Sequence, residues 1–292
     1  MQSTKIIDIL KNGKIHLSCE LFPPKQGAEL QNSLAIVNKI AAIRPSYMSV
    51  TYGAGGSTVG YSAALAKEVQ DNGLPALAHL TCVKADEEKI QEVLSQLQGI
   101  GVNNILALRG DIPADLQGEK IGSFAHASEL MSFIKKQGDF CIGGAAYPEG
   151  HPESGSLEQD IENTKYKVDA GVDFLVTQMF FDNTILYNYM FRLLRAGINV
   201  PVVPGIMPVT NAKQIIRICQ LSGTKLPPHF RAMVEKFADK PEALKQAGIA
   251  YATGQIIDLI SNGFDNVHIY TMNKPEIFQG IMDNLSDIVN FE

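Results

Sequence analysis

Residues able to do chemistry recur along this chain, and the sharpest local concentration is the stretch at 104–113, NILALRGDIP. Ile105, Leu106, Ala107 and Leu108 form a short apolar run that can be buried on both faces, and it stops abruptly at Arg109, Gly110 and Asp111. A buried strand followed by a polar turn at its carboxyl end is where α/β proteins build their sites. A cation, a glycine that admits a ligand to the backbone and a carboxylate would converge there. The plainer reading is Arg109 paired with Asp111 across an ordinary turn, and an isolated Arg-Gly-Asp would favour it.

The same pattern recurs at other run ends. Glu20 stands before Phe22, Pro23 and Pro24; Thr51 and Tyr52 precede Gly53; His79 and Thr81 close another run. Tyr147 is followed by His151, Thr177 by Gln178, and Tyr270 and Thr271 by Lys274, whereas the seventh run ends in Pro204, Gly205 and Ile206. Glu20, His79 and Gln178 lie within the runs or at their very ends, and buried polar groups need partners or a purpose. Glu149, His151 and Glu153 alternate in a loop rich in Gly and Pro, a poor basis for a metal site, and none is expected.

These residues need elements to hold them. A short helix is predicted over residues 5–11, then strands at 15–21, 46–52, 76–81, 104–108, 140–147, 173–178, 200–206 and 266–271. Segments of helical period separate them, such as Leu30, Leu34, Val37 and Ile40, or Ile90, Val93, Leu94 and Leu97. Eight alternations of strand and helix predict an α/β fold, a (β/α)8 TIM barrel, which typically takes about 250 residues. An open doubly wound sheet competes, but it usually has fewer strands and a dinucleotide fingerprint that is absent here. Residues 210–264 must hold extra helix, and residues 1–292 read as a single domain. Ser156 with Gln159 has capping-box spacing, Asp182 and Asn211 suit N-caps, and Pro275 suits a first helical turn. Gly73, Gly101, Gly171 and Gly197 sit near helix ends just before strands, where a left-handed residue is useful.

Composition excludes several classes. With 292 residues, 45% hydrophobic and 19% charged, the chain is an ordinary globular one. Its net charge of −6 and lack of a basic block give no reason to expect nucleic acid. No leader or membrane-length apolar run is visible, so a cytoplasmic protein without membrane contact is expected. Cys19, Cys82, Cys141 and Cys219 are scattered without a C-x-x-C pair and read as small thiols in a reducing compartment.

Seven motifs in order resemble the methylenetetrahydrofolate reductase family: CELFPPK from Cys19, SVTYGAGG from Ser49, AHLTC from Ala78, LALRGD from Leu106, AAYPEGHPE from Ala145, TQMFFD from Thr177 and YTMNK from Tyr270. They cover nearly the whole chain. The resemblance implies a flavin barrel that uses FAD to pass a hydride from NAD(P)H to 5,10-methylenetetrahydrofolate, giving 5-methyltetrahydrofolate for methionine synthesis, with the two substrates taking turns at one flavin face. It is to the bacterial form, in which the barrel stands without the regulatory domain of eukaryotic relatives. A homo-oligomer is expected.

By the same resemblance Glu20 matches the catalytic acid, since opening the methylene bridge needs a proton and a carboxyl withdrawn from water can hold one near neutral pH. Its plainer reading is a Glu paired with a barrel Lys or Arg. Asp111 matches a carboxylate between flavin and folate, where a negative charge makes the reduced flavin a better hydride donor and stabilises a cationic iminium. Tyr52, Ala54, His79, Arg109 and Gly110 match positions that hold FAD, and Tyr147, His151, Asp160, Asn163 and Lys167 extend that set. Positions 160, 163 and 167 share one helical face, so a solvated stripe is the plainer reading; against it, the amino end of a helix near His151 and Lys167 suits a pyrophosphate. Gln178, Gln214 and Lys274 match folate-binding positions and Thr51 one near the nicotinamide, although Gln214 also fits a mere capping role after Asn211. The sequence departs from the family at Lys274, where Arg is usual, at Ile218, at Tyr166, and over residues 115–126. A Schiff-base aldolase would need a lysine inside a strand near the mouth, and no run holds one. The other alternative is a non-catalytic folate- or flavin-binding barrel acting as a subunit.

Overall fold

The computed structural model describes residues 4–52, 59–112 and 122–289. Nine strands form one parallel sheet: β1 (His16–Leu21), β2 (Met48–Val50), β3 (Ala76–Thr81), β4 (Asn104–Leu108), β5 (Cys141–Ala146), β6 (Phe174–Thr177), β7 (Val202–Val203), β8 (Gly205–Ile206) and β9 (Asn266–Ile269). Their order is β7-β6-β5-β4-β3-β2-β1-β9-β8. The continuous seventh strand expected at 200–206 is therefore two pieces, and Pro204 is the reason: it has no N–H to give a ladder. The break lets one segment serve both edges. β7 pairs with β6 through Leu175↔Val202, while β8 pairs with β9 through Gly205↔His268, and the Pro204 carbonyl accepts from His268 N at 2.8 Å. The result is a nearly closed barrel.

Helices α1 (Ile6–Leu10), α2 (Leu30–Ala41), α3 (Val59–Asp71), α4 (Glu87–Gly99), α5 (Ala127–Gln137), α6 (Leu157–Asp169) and α7 (Asn183–Arg195) alternate with the strands. The predicted extra helix at 210–264 is three helices, α8 (Ala212–Ser222), α9 (Pro228–Lys236) and α10 (Pro241–Ser261), and α11 (Pro275–Val289) follows the last strand. Proline opens α9, α10 and α11, where its missing N–H costs nothing. Asp182 and Asn211 cap as expected, accepting from Thr184 N and Gln214 N. Only half of the expected capping box forms: Ser156 accepts from Gln159 N at 3.1 Å, but the Gln159 side chain turns to Glu162.

Strand alternation sorts the side chains into two cores. Leu17, Cys19 and Leu21 face the helices together with Val37 and Ile40, leaving Ser18 and Glu20 to face the barrel interior. At the amino end the interior is apolar, with Leu77, Leu106, Cys141, Phe174 and Val203 packed beneath Ile6 and Leu10 of α1, which plugs the floor. The buried Asn104 amide ties that plug down, accepting from Ile6 N at 2.9 Å and donating to Thr4 O at 3.1 Å. The plug closes the interior at this end, beside a surface cleft lined by Ile7, Lys11, Asp173 and Asp265, so the polar side chains of the interior face the carboxyl end.

Candidate active site

Glu20 is a buried carboxyl at that end, 8% exposed at the close of β1. Neither of the basic partners considered for it exists: no Lys or Arg among the described residues reaches it. Its neighbour is His79 of β3, with Nε2 at 3.6 Å from Glu20 Oε2, beyond hydrogen-bond reach. Burial pushes the Glu20 carboxyl up from 4.5 to about 8 and the His79 imidazole down to about 3. Both are neutral around pH 7, so their contact is not an ion pair. His79 Nε2 is buried and has no hydrogen bond. A protonated acid beside an unsatisfied imidazole is an arrangement prepared for a ligand.

Beneath them lies a layer that sequence reasoning missed. His268 of β9 is held between Ser18 Oγ at 2.8 Å from Nδ1 and Ser49 Oγ at 3.1 Å from Nε2, and it stacks on Tyr47 with ring centres 5.9 Å apart. Burial drives its pKa down to about 3, with His79 adding to the shift. The signal was available in the alternation of VHIY, which turns His268 to the same side as Asn266 and Tyr270. Tyr270 reaches from the end of β9 to donate to Thr177 O at 2.6 Å.

The RGD turn differs from its plainer reading. Arg109 does not pair with Asp111; its guanidinium makes a bidentate pair with Glu153, at 2.6 and 2.7 Å. That hydrogen bonding raises the Arg109 pKa and lowers that of Glu153. Gly110 has φ +85°, and a Cβ there would stand 2.8 Å from Val83 Cγ1, so glycine is required twice over. Asp111 is exposed at the mouth and makes no hydrogen bond or ion pair among the described residues.

The strand-five loop and α6 do assemble the predicted set. Asp160 is 3% exposed, so positions 160, 163 and 167 are not a solvated stripe. Asp160 Oδ1 accepts from Ser154 Oγ at 3.0 Å and His151 N at 3.3 Å, while its Oδ2 is buried with no partner. Asn163 Nδ2 donates to Ser154 Oγ at 3.4 Å. Lys167 donates to Ala145 O at 2.7 Å and sits over the Tyr147 ring, 5.5 Å from its centre. Burial brings the Lys167 pKa down to about 8 against the opposing pull of Asp160. Tyr147 meets His151 edge to face at 4.6 Å. Tyr52 is half-buried, with its phenol raised by burial, and Ala54 lies outside the described residues.

The predicted folate and nicotinamide positions are more scattered. Thr51 is tied by its backbone to Leu21 O and Ser62 Oγ. Gln178 is half-buried at the end of β6, with Oε1 turned to Met179 N at 2.9 Å. Gln214 fills the capping role, its N–H bonded to Asn211 Oδ1, and its exposed side chain also lines a small cleft with Ile218, Met207 and Met272. Lys274 donates to Thr210 Oγ1 at 2.8 Å. Glu149 is committed to Lys225 N, and no cluster of three or more His, Cys, Asp or Glu among the described residues is placed to hold a metal.

Comparison with known proteins agrees with this geometry. The family model described as methylenetetrahydrofolate reductase matches residues 5–286. The chain is 34% identical over 274 residues to 5,10-methylenetetrahydrofolate reductase of Pectobacterium carotovorum, covering 94% of this chain and 91% of that protein. It is 36% identical to methylenetetrahydrofolate reductase (NADH) 1 of Arabidopsis thaliana, where 96% of this chain matches only 50% of the relative. In fold it is similar to an uncharacterised Clostridium thermocellum protein that binds two copies of 5-methyl-5,6,7,8-tetrahydrofolic acid, with a TM-score of 0.68 at 13% identity, covering 99% of this chain and 100% of that one. An acid at the mouth of a nearly closed parallel barrel, a family match along almost the entire chain and a bacterial relative of like length lead to one conclusion: the chain belongs to the methylenetetrahydrofolate reductase family, and is an oxidoreductase.

Proposed function

We propose that residues 1–292 form one catalytic domain that reduces 5,10-methylenetetrahydrofolate to 5-methyltetrahydrofolate with NAD(P)H and FAD, the two substrates binding in turn, in a step that supplies methyl groups for methionine. The observation that carries this reading is Glu20, a carboxyl at the mouth kept protonated by burial, without a basic partner. Reduction of a methylene bridge needs a proton on the folate amine nitrogen as its bond to the bridging carbon breaks. Glu20 is placed to give that proton, and the neutral His79 beside it adds no charge that would compete. Asp111 would then stabilise the cationic iminium left on the folate.

The residues around Asp160 fit FAD. Its unpartnered Oδ2, the Lys167 ammonium, Asn163, the Tyr147 and His151 rings and the amino end of α6 offer a charged and polar seat with donors and an acceptor. When bound, FAD supplies a two-electron store between nicotinamide and folate. Tyr52, Ala54, His79, Arg109 and Gly110 would complete its seat, Gln178, Gln214 and Lys274 would hold the folate, and Thr51 the nicotinamide. Exposed Tyr166 on α6 and Phe191 and Leu194 on α7 suit a second copy of the chain, and the free thiols suit the cytoplasm.

The test is the absorption spectrum of the purified protein loaded with FAD. Bleaching by NADH and restoration by methylenetetrahydrofolate support the reductase. Colourless protein that cannot be loaded yet binds folate would make it a non-catalytic binder.

A further inference from the structure

The end of β1 is held in an unusual way. Backbone pairing of β1 with β9 stops at Cys19↔Ile269, one residue short of Glu20. From there the chain leaves: Met272 and Asn273 both adopt left-handed backbone, at φ 54° and 58°. The β1 segment beyond Cys19 should therefore lose its neighbour on that side. Side chains take over instead. Thr271 Oγ1 donates to Glu20 O at 3.2 Å, and the Asn273 amide makes a two-way clamp on Phe22, accepting from its N–H and donating to its carbonyl, both at 2.8 Å. A left-handed Asn needs no such partners, since Asn tolerates that backbone with its side chain in water. Two good bonds to one backbone unit 251 positions away specify a register.

We propose that Asn273 is a positioning residue for the acid: its amide replaces the missing β9 backbone beside Phe22, keeping the end of β1 in register and Glu20 out of water. This rests on the reading of Glu20 as the proton donor. The ionisable groups nearest Glu20 are His79 from β3, Tyr270 from the end of β9 and, on the opposite face of its own strand, Cys19, with His268 beyond His79. Burial holds all four uncharged around neutral pH, so water entry at the β1–β9 seam is what would change the titration of Glu20.

The discriminating variant is Asn273→Gly, which keeps the left-handed backbone at no steric cost and removes only the amide. In the FAD-loaded enzyme, reduction by NADH should be unchanged. The folate half-reaction, followed in single turnovers across pH, should lose its rate at lower pH than wild type, the alkaline limb moving down by about one unit and the rate at pH 8 falling about fivefold. Should Asn273→Gly not fold, Thr271→Val removes the other side-chain bond to this segment and should move the limb the same way by less. An unmoved limb, whether or not the rate falls, overturns the proposal. Glu20→Gln, measured alongside, separates the two failures: if it retains folate reduction the acid assignment is wrong, and if it loses it while the limb of the Asn273 variant stays put, only the positioning role is.

Discussion

The two ends of the barrel treat a central buried polar side chain in different ways. At the floor, Asn104 is wholly buried and its amide is used on both sides, by Ile6 N, Thr4 O and Ala76 O. At the mouth, Glu20 and His79 are nearly as buried, but their polar atoms face each other at 3.6 Å without a hydrogen bond. An unsatisfied buried group costs on the order of 1–3 kcal/mol, so a fold carries it only where something other than stability requires it. The floor is not free of such atoms, since Tyr47 Oη and Asn266 Oδ1 are buried there without a partner, but only at the mouth do they belong to a histidine beside a carboxyl group and to a carboxylate, His79 and Asp160. Asp160 repeats the lesson at the mouth, with one oxygen bonded and the other left open.

The comparison breaks most visibly at Glu20. Glu20→Gln should leave flavin reduction by NADH intact and slow the folate half-reaction by about two to four orders of magnitude, the usual worth of a positioned acid; equal slowing of both half-reactions in stopped flow would remove the acid role. The same variant should be more stable than wild type, in a pH-dependent way. The folded pKa of Glu20 is raised, so the fold is favoured fully below about 4.5 and loses stability as pH rises toward about 8. Glu20→Gln should therefore unfold at higher denaturant than wild type at pH 8, by on the order of 4 kcal/mol, since each unit of displacement is about 1.4 kcal/mol. At pH 4 the two should differ little, and a constant difference across pH would contradict the cause given. The floor should answer in the reverse sense. Asn104→Ala leaves Ile6 N–H without its acceptor and should cost about 2 kcal/mol in denaturant unfolding, while activity per folded molecule is unchanged. The smallest effect is expected at Lys274, half-buried against Thr210. Lys274→Arg offers a fork where there was a point charge and should tighten folate binding by about 1 kcal/mol or less. Unchanged affinity would mean that Lys274 does not touch the substrate.

Much of this was legible before any coordinates. Mostly apolar runs of strand length gave β3 and β4 to the residue, because both faces of a parallel strand are buried. Pro204 was visible, yet its consequence was not: breaking one strand to pair with both edges is decided by closure of the barrel, not by local preference. Glu20 stood out as a carboxylate at a strand end. Its lack of a basic partner did not, since that depends on which side chains the other strands bring near. The Arg109 pair went the other way: sequence proximity favoured Asp111, but Glu153, on the next strand's loop, meets the guanidinium in the planar geometry it prefers. The Asn273 clamp was hidden for the same reason, its partner being at the far end of the chain.

The claim on which the rest depends is that Glu20 is a protonated acid at neutral pH because the fold has dried it. Infrared difference spectra of wild type against Glu20→Gln, recorded across pH, read that carboxyl directly, without cofactor or substrate. A protonated carbonyl band present at pH 7, absent from the variant and titrating away at about 8, is the expected result. A band that disappears near 4.5, the ordinary value for a glutamate, would mean that water reaches Glu20 and that the acid must be sought elsewhere.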